Sequence, residues 1–484
     1  MGLLSFVMII LGPMMKRKRI SGILFISALS LFTFSGQTSS RADAFNSWES
    51  LRDAILASDS EGVVTQTFQI EPGVTIIANP GENLYAGTFS GTLYGGLGDG
   101  IATIQGITVP LFQIISGAMI SGLQVITAED GVIGRGTISD YAFDSTIENV
   151  RAGGVVSGGS YPSGGAWVSN TGGLIGNADQ VLINTSSFSG KVQGDSQNVG
   201  GLVGLLQDST ILNSNVKSSL GVIGTDYVGG AVGWSFNSTI DTVMTAGFVD
   251  GAYAVGGIAG KAENTVITES LSKSVVTSGN FGTTGGIVGI AINSISDDLI
   301  EGNIDQTIFK GSVSSTGDAV GGIVGENYVV IKNVSSIPTD TGISGNEDVG
   351  GVVGRNISPG VIQNSYFDGN LYGESYVGGI AGLNQGAISN TAVAGNIYSK
   401  ETKESCDTDL CNSGIMVGYN DSGSLSGSIY TAYLHLDYLH PGDEFIIGGP
   451  GDFAPAVFPE EFLVNLNADN EPDTWRVNTT FRDH

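Results

Sequence analysis

One phrase, Gly-Gly-x-x-Gly, returns eight times along this chain. Its copies start at Gly172, Gly200, Gly229, Gly256, Gly285, Gly321, Gly350 and Gly378, at intervals of 28, 29, 27, 29, 36, 29 and 28 residues. A degenerate ninth copy runs from Gly414 to Gly418. So even a spacing requires a repeated unit that stacks on its neighbours. Short β-favouring segments sit inside the phrase, as at Leu202-Val203, Val232, Ile258 and Val352-Val353. About a dozen residues on comes a second phrase, an apolar residue followed at short spacing by Asn: Leu182-Ile183-Asn184, Ile211-Leu212-Asn213, Ile331-Lys332-Asn333, Ile362-Gln363-Asn364 and Ile388-Ser389-Asn390. It is present earlier as Ile147-Glu148-Asn149. A third, such as Gly190-Lys191-Val192 or Gly369-Asn370-Leu371, completes the period.

Three β segments per period, separated by Gly, Asn, Asp and Ser, predict a coil with three faces. Glycine interrupts every candidate helix in this stretch. A single coil cannot bury its inward residues, whereas stacked coils share one core. The expected fold is therefore all-β: a right-handed parallel β-helix, or β-solenoid, of about ten coils. At the usual strand spacing, ten or eleven coils make a rod of roughly 50 Å. A propeller or sandwich array would need four strands per unit and stronger hairpin turns. The Gly and Asn positions are expected to supply left-handed backbone conformations, which cost least there. Stacked Asn side chains are expected to bond from coil to coil.

The Gly-Gly-[LIVA]-[VIA]-Gly phrase, with its downstream Ile-x-Asn-[Ser/Thr], resembles the GLUG motif of bacterial surface and secreted proteins, some adhesins and immunoglobulin A peptidases among them. The resemblance covers residues 172–397. It implies a parallel β-helix and export, and no single activity, because such repeats accompany several. Asp241 in the copy at Gly229 and Thr268 in the copy at Gly256 stand where the pattern expects Asn.

The ends differ from the middle. Lys16-Arg17-Lys18-Arg19, an apolar run from Ile20 to Phe34 and Ala42-Asp43-Ala44 read as a secretory signal cut before Phe45. Residues 1–44 are thus assigned to the signal and an upstream start region. The apolar run is short and Ser-rich for a membrane span, and no second one follows in the mature chain. Residues 45–115 are expected to hold an N-terminal cap and the first coils, residues 116–429 the repeats, and residues 430–484 a C-terminal cap. In the first of these, Trp48, Leu51 and Ile55 share a helical face behind Ser47, a suitable N-cap. A helix there would protect the open strand edge. The segment from Gly87 to Ile107 resembles the opening coils of pectate-lyase-like helices.

Charge limits the partners. The formal net charge is −28, and loss of residues 1–44 makes it −32. So acidic a surface repels phosphates and anionic lipid, which sets aside nucleic acid. Two long repeats carry inserts at Ile290–Glu301 and Lys400–Asn412, with Asp297, Asp298 and Glu301 in one and Glu401, Glu404, Asp407 and Asp409 in the other. Asp297, Asp298, Asp407 and Asp409 are candidate calcium ligands, the alternative being solvated loops. No other cofactor is implied. Cys406 and Cys411 either close a small disulfide in an oxidising compartment or stand as free thiols. His435, Asp437 and His440 are a further metal candidate, with packing around the last coil as the alternative.

An enzyme is weighed against a scaffold. Uronate lyases need a base for the α-proton and cations for the carboxylate. Between residues 100 and 450 the only arginines are Arg135, Arg151 and Arg355, and all three histidines lie at or beyond position 435. His-Glu-x-x-His is absent. The expected role is a secreted or cell-surface scaffold for adhesion or extracellular interaction with a glycan or protein ligand; the alternative is a glycan-active lyase or hydrolase.

Overall fold

The computed structural model describes residues 44–96, 100–158, 170–195, 197–279, 282–294, 302–400 and 413–436. Its body is an all-β parallel solenoid of about eleven turns. One coil shows the plan. Asn198–Gly200 forms a rung of sheet I, Val203–Gln207 a rung of sheet II, and Thr210–Leu212 and Asn215–Ile223 two rungs of sheet III. Each pairs in parallel with its counterpart one coil on. Sheet I has eight strands and sheet II thirteen. Sheet II is longer because rungs at Val63–Val64, Tyr85–Phe89, Phe112–Ser116 and Ser139–Phe143 precede the first repeat glycine and one at Val417–Asn420 follows the last full copy.

The repeat phrase and the register are the same fact. Gly172, Gly200, Gly229, Gly256, Gly285, Gly321, Gly350 and Gly378 pair in sequence along sheet I, and Gly378 bridges to Gly414. These glycines do not use left-handed backbone. The reason for glycine is proximity. A Cβ on Gly200 would run into the Val203 carbonyl oxygen and lie 2.7 Å from the Ala231 carbonyl oxygen of the next coil. The left-handed conformation belongs instead to the turns, at Thr185, Asn213, Thr242, Glu269, Asn333, Asn364 and Asn390. This corrects the Asn alignment by one residue in three coils. Ile211 pairs with Ile183 on one side and Ile240 on the other, so Thr185 and Thr242, not Asn184 and Asp241, are the counterparts of Asn213. In the copy at Gly256 the counterpart is Glu269, not Thr268. The turn needs a residue that tolerates αL rather than Asn alone.

A serine follows the left-handed residue in many turns, as at Ser186, Ser209, Ser214, Ser270 and Ser365. Ser209 and Ser214 donate to Gln207 and Leu212 carbonyls at 2.5 and 2.7 Å. The same hydroxyls accept the Val181 and Ser186 N–H groups of the preceding coil at 2.9 and 3.1 Å. The hydroxyl thereby satisfies backbone that the corner would bury unpaired.

Inward positions form columns. Ile120, Ile147, Ile183, Ile211, Ile240, Ile267, Ile304, Ile331, Ile362 and Ile388 follow one another along sheet III, all buried. Each contributes roughly 1.5–3 kcal/mol by leaving water. In sheet II an inward column changes character. Ala262 and Ala291 give way to Asn327, Asn356 and Asn384, fully buried, whose amides bond in series at 2.9 and 2.8 Å and then to Asn420 at 2.7 Å.

Before the first rung stands a helix, α1 (Trp48–Ala57). Ser47 caps it by accepting the Ser50 N–H, and Trp48, Leu51 and Ile55 are buried in the common core. Phe45 bridges to Ile70 and opens a row of rings through Phe68, Phe89 and Phe112. At the other end, Ile429–Leu436 pairs with Ala392–Ser399, so sheet III runs seven residues past position 429. Ala432 and Tyr433 stand there opposite Gly395 and Asn396, so the glycine that marks the third phrase is gone and the coil is hidden in the sequence. The signal assigned to residues 1–44 lies outside the described residues up to position 43, and the expected cap does so from 437 onward.

Candidate functional site

Sheets I and II meet along a corner made of bare backbone. A Cβ on Gly233, the last glycine of its phrase, would come within 2.5 Å of the Val199 nitrogen and 2.8 Å of the Asn198 carbonyl carbon. The sheet I strand therefore lies directly on sheet II of the next coil. This brings the outward residue of sheet I against the outward residue of sheet II seven positions on. Asn170 bonds Asn177 at the corner, Tyr227 packs on Trp234 with ring centres 5.9 Å apart, and Asp348 holds Arg355.

In the middle coils this corner carries aromatic rings and ion pairs side by side. Lys261, one coil beyond Trp234, sets its ammonium 4.6 Å from the Trp234 ring centre and 5.6 Å from that of Tyr227. It also pairs with Glu263 at 2.7 Å. Tyr253 meets Tyr227 edge to face at 5.9 Å and is itself exposed. Two coils further on, Tyr328 donates to Glu326 at 2.6 Å, and Arg355 lies 4.0 Å from Glu326.

Burial and pairing set the charges. Burial pushes the Glu263 carboxyl up, but hydrogen bonds from Lys261 and Ser294 and the Lys261 charge outweigh it, leaving Glu263 below the usual range. Burial raises Asp348, and Arg355 only partly offsets it. The Tyr328 phenol is pushed up to about 12, by burial first and then by the bond to Glu326. These groups hold one another by charge-assisted hydrogen bonds. The strip is a set of fixed rings and donor–acceptor pairs, which suits recognition. Among the described residues no three His, Cys, Asp or Glu side chains converge as a metal site would require.

The sites expected from sequence fall elsewhere. Asp297, Asp298, Glu301, Glu401, Glu404, Asp407, Asp409, Cys406, Cys411, Asp437 and His440 lie outside the described residues. At the neck of the first insert, the Gly302 N–H donates to Asn293 Oδ1 at 2.8 Å. His435 stacks 4.6 Å from Tyr398, which stacks 4.8 Å from Tyr372, on the outside of sheet III. The eight repeat glycines are structural, as their pairing requires. The strip itself was missed, although its signal is in the chain: the residue after the last glycine of each phrase faces outward. Reading that column alone gives Trp234, Lys261, Ile290, Glu326, Arg355, Leu383 and Tyr419.

Comparison with known proteins gives partial likenesses. No family model matches the chain. It is 33% identical over 129 residues to an immunoglobulin A1 protease of Streptococcus pneumoniae, covering 25% of this chain and 6% of that protein. It is 31% identical over 162 residues to halomucin of Haloquadratum walsbyi, covering 30% of this chain and 2% of that protein. An immunoglobulin A1 protease of Streptococcus sanguinis is 27% identical over 199 residues, 39% of this chain and 10% of the protein. The chain thus spans a tenth or less of the curated relatives it matches. Among solved structures, an IgA1 protease aligns with a TM-score of 0.38 at 19% identity, over 64% of this chain and 22% of that one.

Proposed function

We propose that this chain is an exported β-solenoid scaffold of the GLUG-repeat kind, acting in adhesion at or beyond the cell surface. The observation that carries the reading is the run of rings and ion pairs along one corner of the stack, from Tyr227 and Trp234 through Lys261 and Glu263 to Arg355, whose residues differ from level to level. A regular coil offers nearly the same surface at every level, so a distinctive strip is where a ligand would be told apart. The segmentation supports export: the proposed cleavage falls just before Phe45, which among the described residues is the first to bond to the fold, its N–H donating to Gln69 at 2.8 Å. The partial likenesses support the extracellular setting, since proteins named immunoglobulin A1 protease and halomucin share stretches with it.

The protease activity of those relatives is not part of this proposal. The chain has three histidines, His435, His440 and His484, and no His-Glu-x-x-His. The shared stretch is read as an accessory solenoid. Among the described residues no helix is long and apolar enough to cross a membrane. The reading is tested by presenting the chain from Phe45 onward to arrays of glycans and extracellular-matrix proteins. Saturable binding to either supports adhesion; binding to neither, with the fold intact, refutes it.

A further inference from the structure

We propose that the strip around Tyr253 is a binding subsite for a neutral pyranose within a glycan chain, an inference that rests on the adhesion reading and names its ligand class. Pyranose rings present an apolar face of axial C–H groups and an edge of hydroxyls. A site for them needs an accessible ring face beside fixed donors and acceptors. The orientation of the rings supplies the first. Tyr227 and Tyr253 meet at 60°, and Tyr227 and Trp234 at 55°, so neither pair is stacked face to face. Tyr253 is 45% exposed. The contrast is the column Tyr372, Tyr398 and His435, whose rings lie within 7° and 15° of parallel along the stack and so turn mainly their edges outward.

The Lys261–Glu263 pair supplies the second requirement. Lys261 has three N–H donors and Glu263 two carboxylate oxygens with several lone pairs; their mutual bond at 2.7 Å and the bond from Ser294 to Glu263 use part of this capacity. Held on Trp234, the pair is already oriented, so a hydroxyl bonding to it meets little ordering cost.

Local charge selects the class of sugar. Along the strip Lys261 and Arg355 face Glu263, Glu326 and Asp348, and both cations are paired with these carboxylates. A uronate or sulfated chain would meet surplus negative charge on a chain of net charge −28. A neutral glycan meets no such barrier.

The test is calorimetric titration of the chain from Phe45 onward with cello- and chito-oligosaccharides, and with oligogalacturonate as the charged comparator. The expected result is binding of a neutral oligosaccharide, weakened about tenfold or more by Tyr253→Ala, as loss of one aromatic contact implies. Tyr253→Phe, which keeps the ring face, should retain it. An unchanged melting curve for Tyr253→Ala separates lost contact from lost fold, as expected for an exposed side chain. Oligogalacturonate binding more tightly, or Tyr253→Ala binding neutral sugar as the parent does, overturns the proposal. Binding of a matrix protein with no response to any neutral sugar also overturns it while leaving the adhesion reading standing; binding of nothing removes both.

Discussion

At the scale of the residue, the repeat glycines are chosen for what a Cβ would strike. Gly229 has the Val232 carbonyl oxygen within contact distance of its missing Cβ, and the Gly260 nitrogen of the next coil 2.7 Å away. Neither is a flexible side chain that can move aside. Gly229→Ala should therefore destabilise by about 1–3 kcal/mol or more, the cost of overpacking, rather than by the few tenths of an exposed change. Denaturant melts of the variant and of Gly73→Ala, whose Cβ would meet nothing but whose backbone is left-handed at φ 77°, separate steric from conformational cost. Titration gives a second prediction. Tyr328 is pushed up to about 12 from the ordinary 10.0, chiefly by burial, and burial raises Tyr366 as well. The sign follows from linkage: below the unfolded pKa both states keep the proton and stability is full. As pH rises from about 10 towards 12, the unfolded chain loses protons that the fold retains, and stability falls. Melts across this range should show the loss, and Tyr328→Phe should make it shallower.

At the scale of the element, the sequence foretells what has a period and misses what sits on the period. The parallel stacking was legible because one phrase recurs at 28 or 29 residues. Helix α1 was legible because Trp48, Leu51 and Ile55 fall on one helical face behind a capping serine. The Asn column inside sheet II was not: Asn327, Asn356 and Asn384 are second after the phrase's last glycine, and polar residues there read as surface. Burial is tolerated because each amide bonds to the next. Asn356→Leu should cost about 1–3 kcal/mol, because it strips partners from the buried Asn327 and Asn384 amides. A melt unchanged by this substitution would show that the column carries no stability. The corner strip was missed for a related reason: its residues differ from coil to coil, and a search for sameness passes over them.

At the scale of the whole molecule, each coil is a rung of the same plan, and every strand in it pairs with its counterpart one period away. Removing one whole period should then close the gap without altering any pairing. Residues 172–199 are one such period, since Gly172 pairs with Gly200, Ile175 with Val203, Ile183 with Ile211 and Phe188 with Val216. Their deletion joins Thr171 to Gly200 and leaves the strip at Tyr227 to Arg355 intact. The direct test is small-angle scattering with far-ultraviolet circular dichroism on this deletion and on a control lacking half a period, residues 172–185. The account predicts that the full-period deletion keeps β signal and a cooperative melt and shortens the particle by about one strand spacing, ~4.8 Å, while the half-period deletion unfolds. A full-period deletion that unfolds like the control, or a half-period deletion that folds as well as the parent, would contradict it.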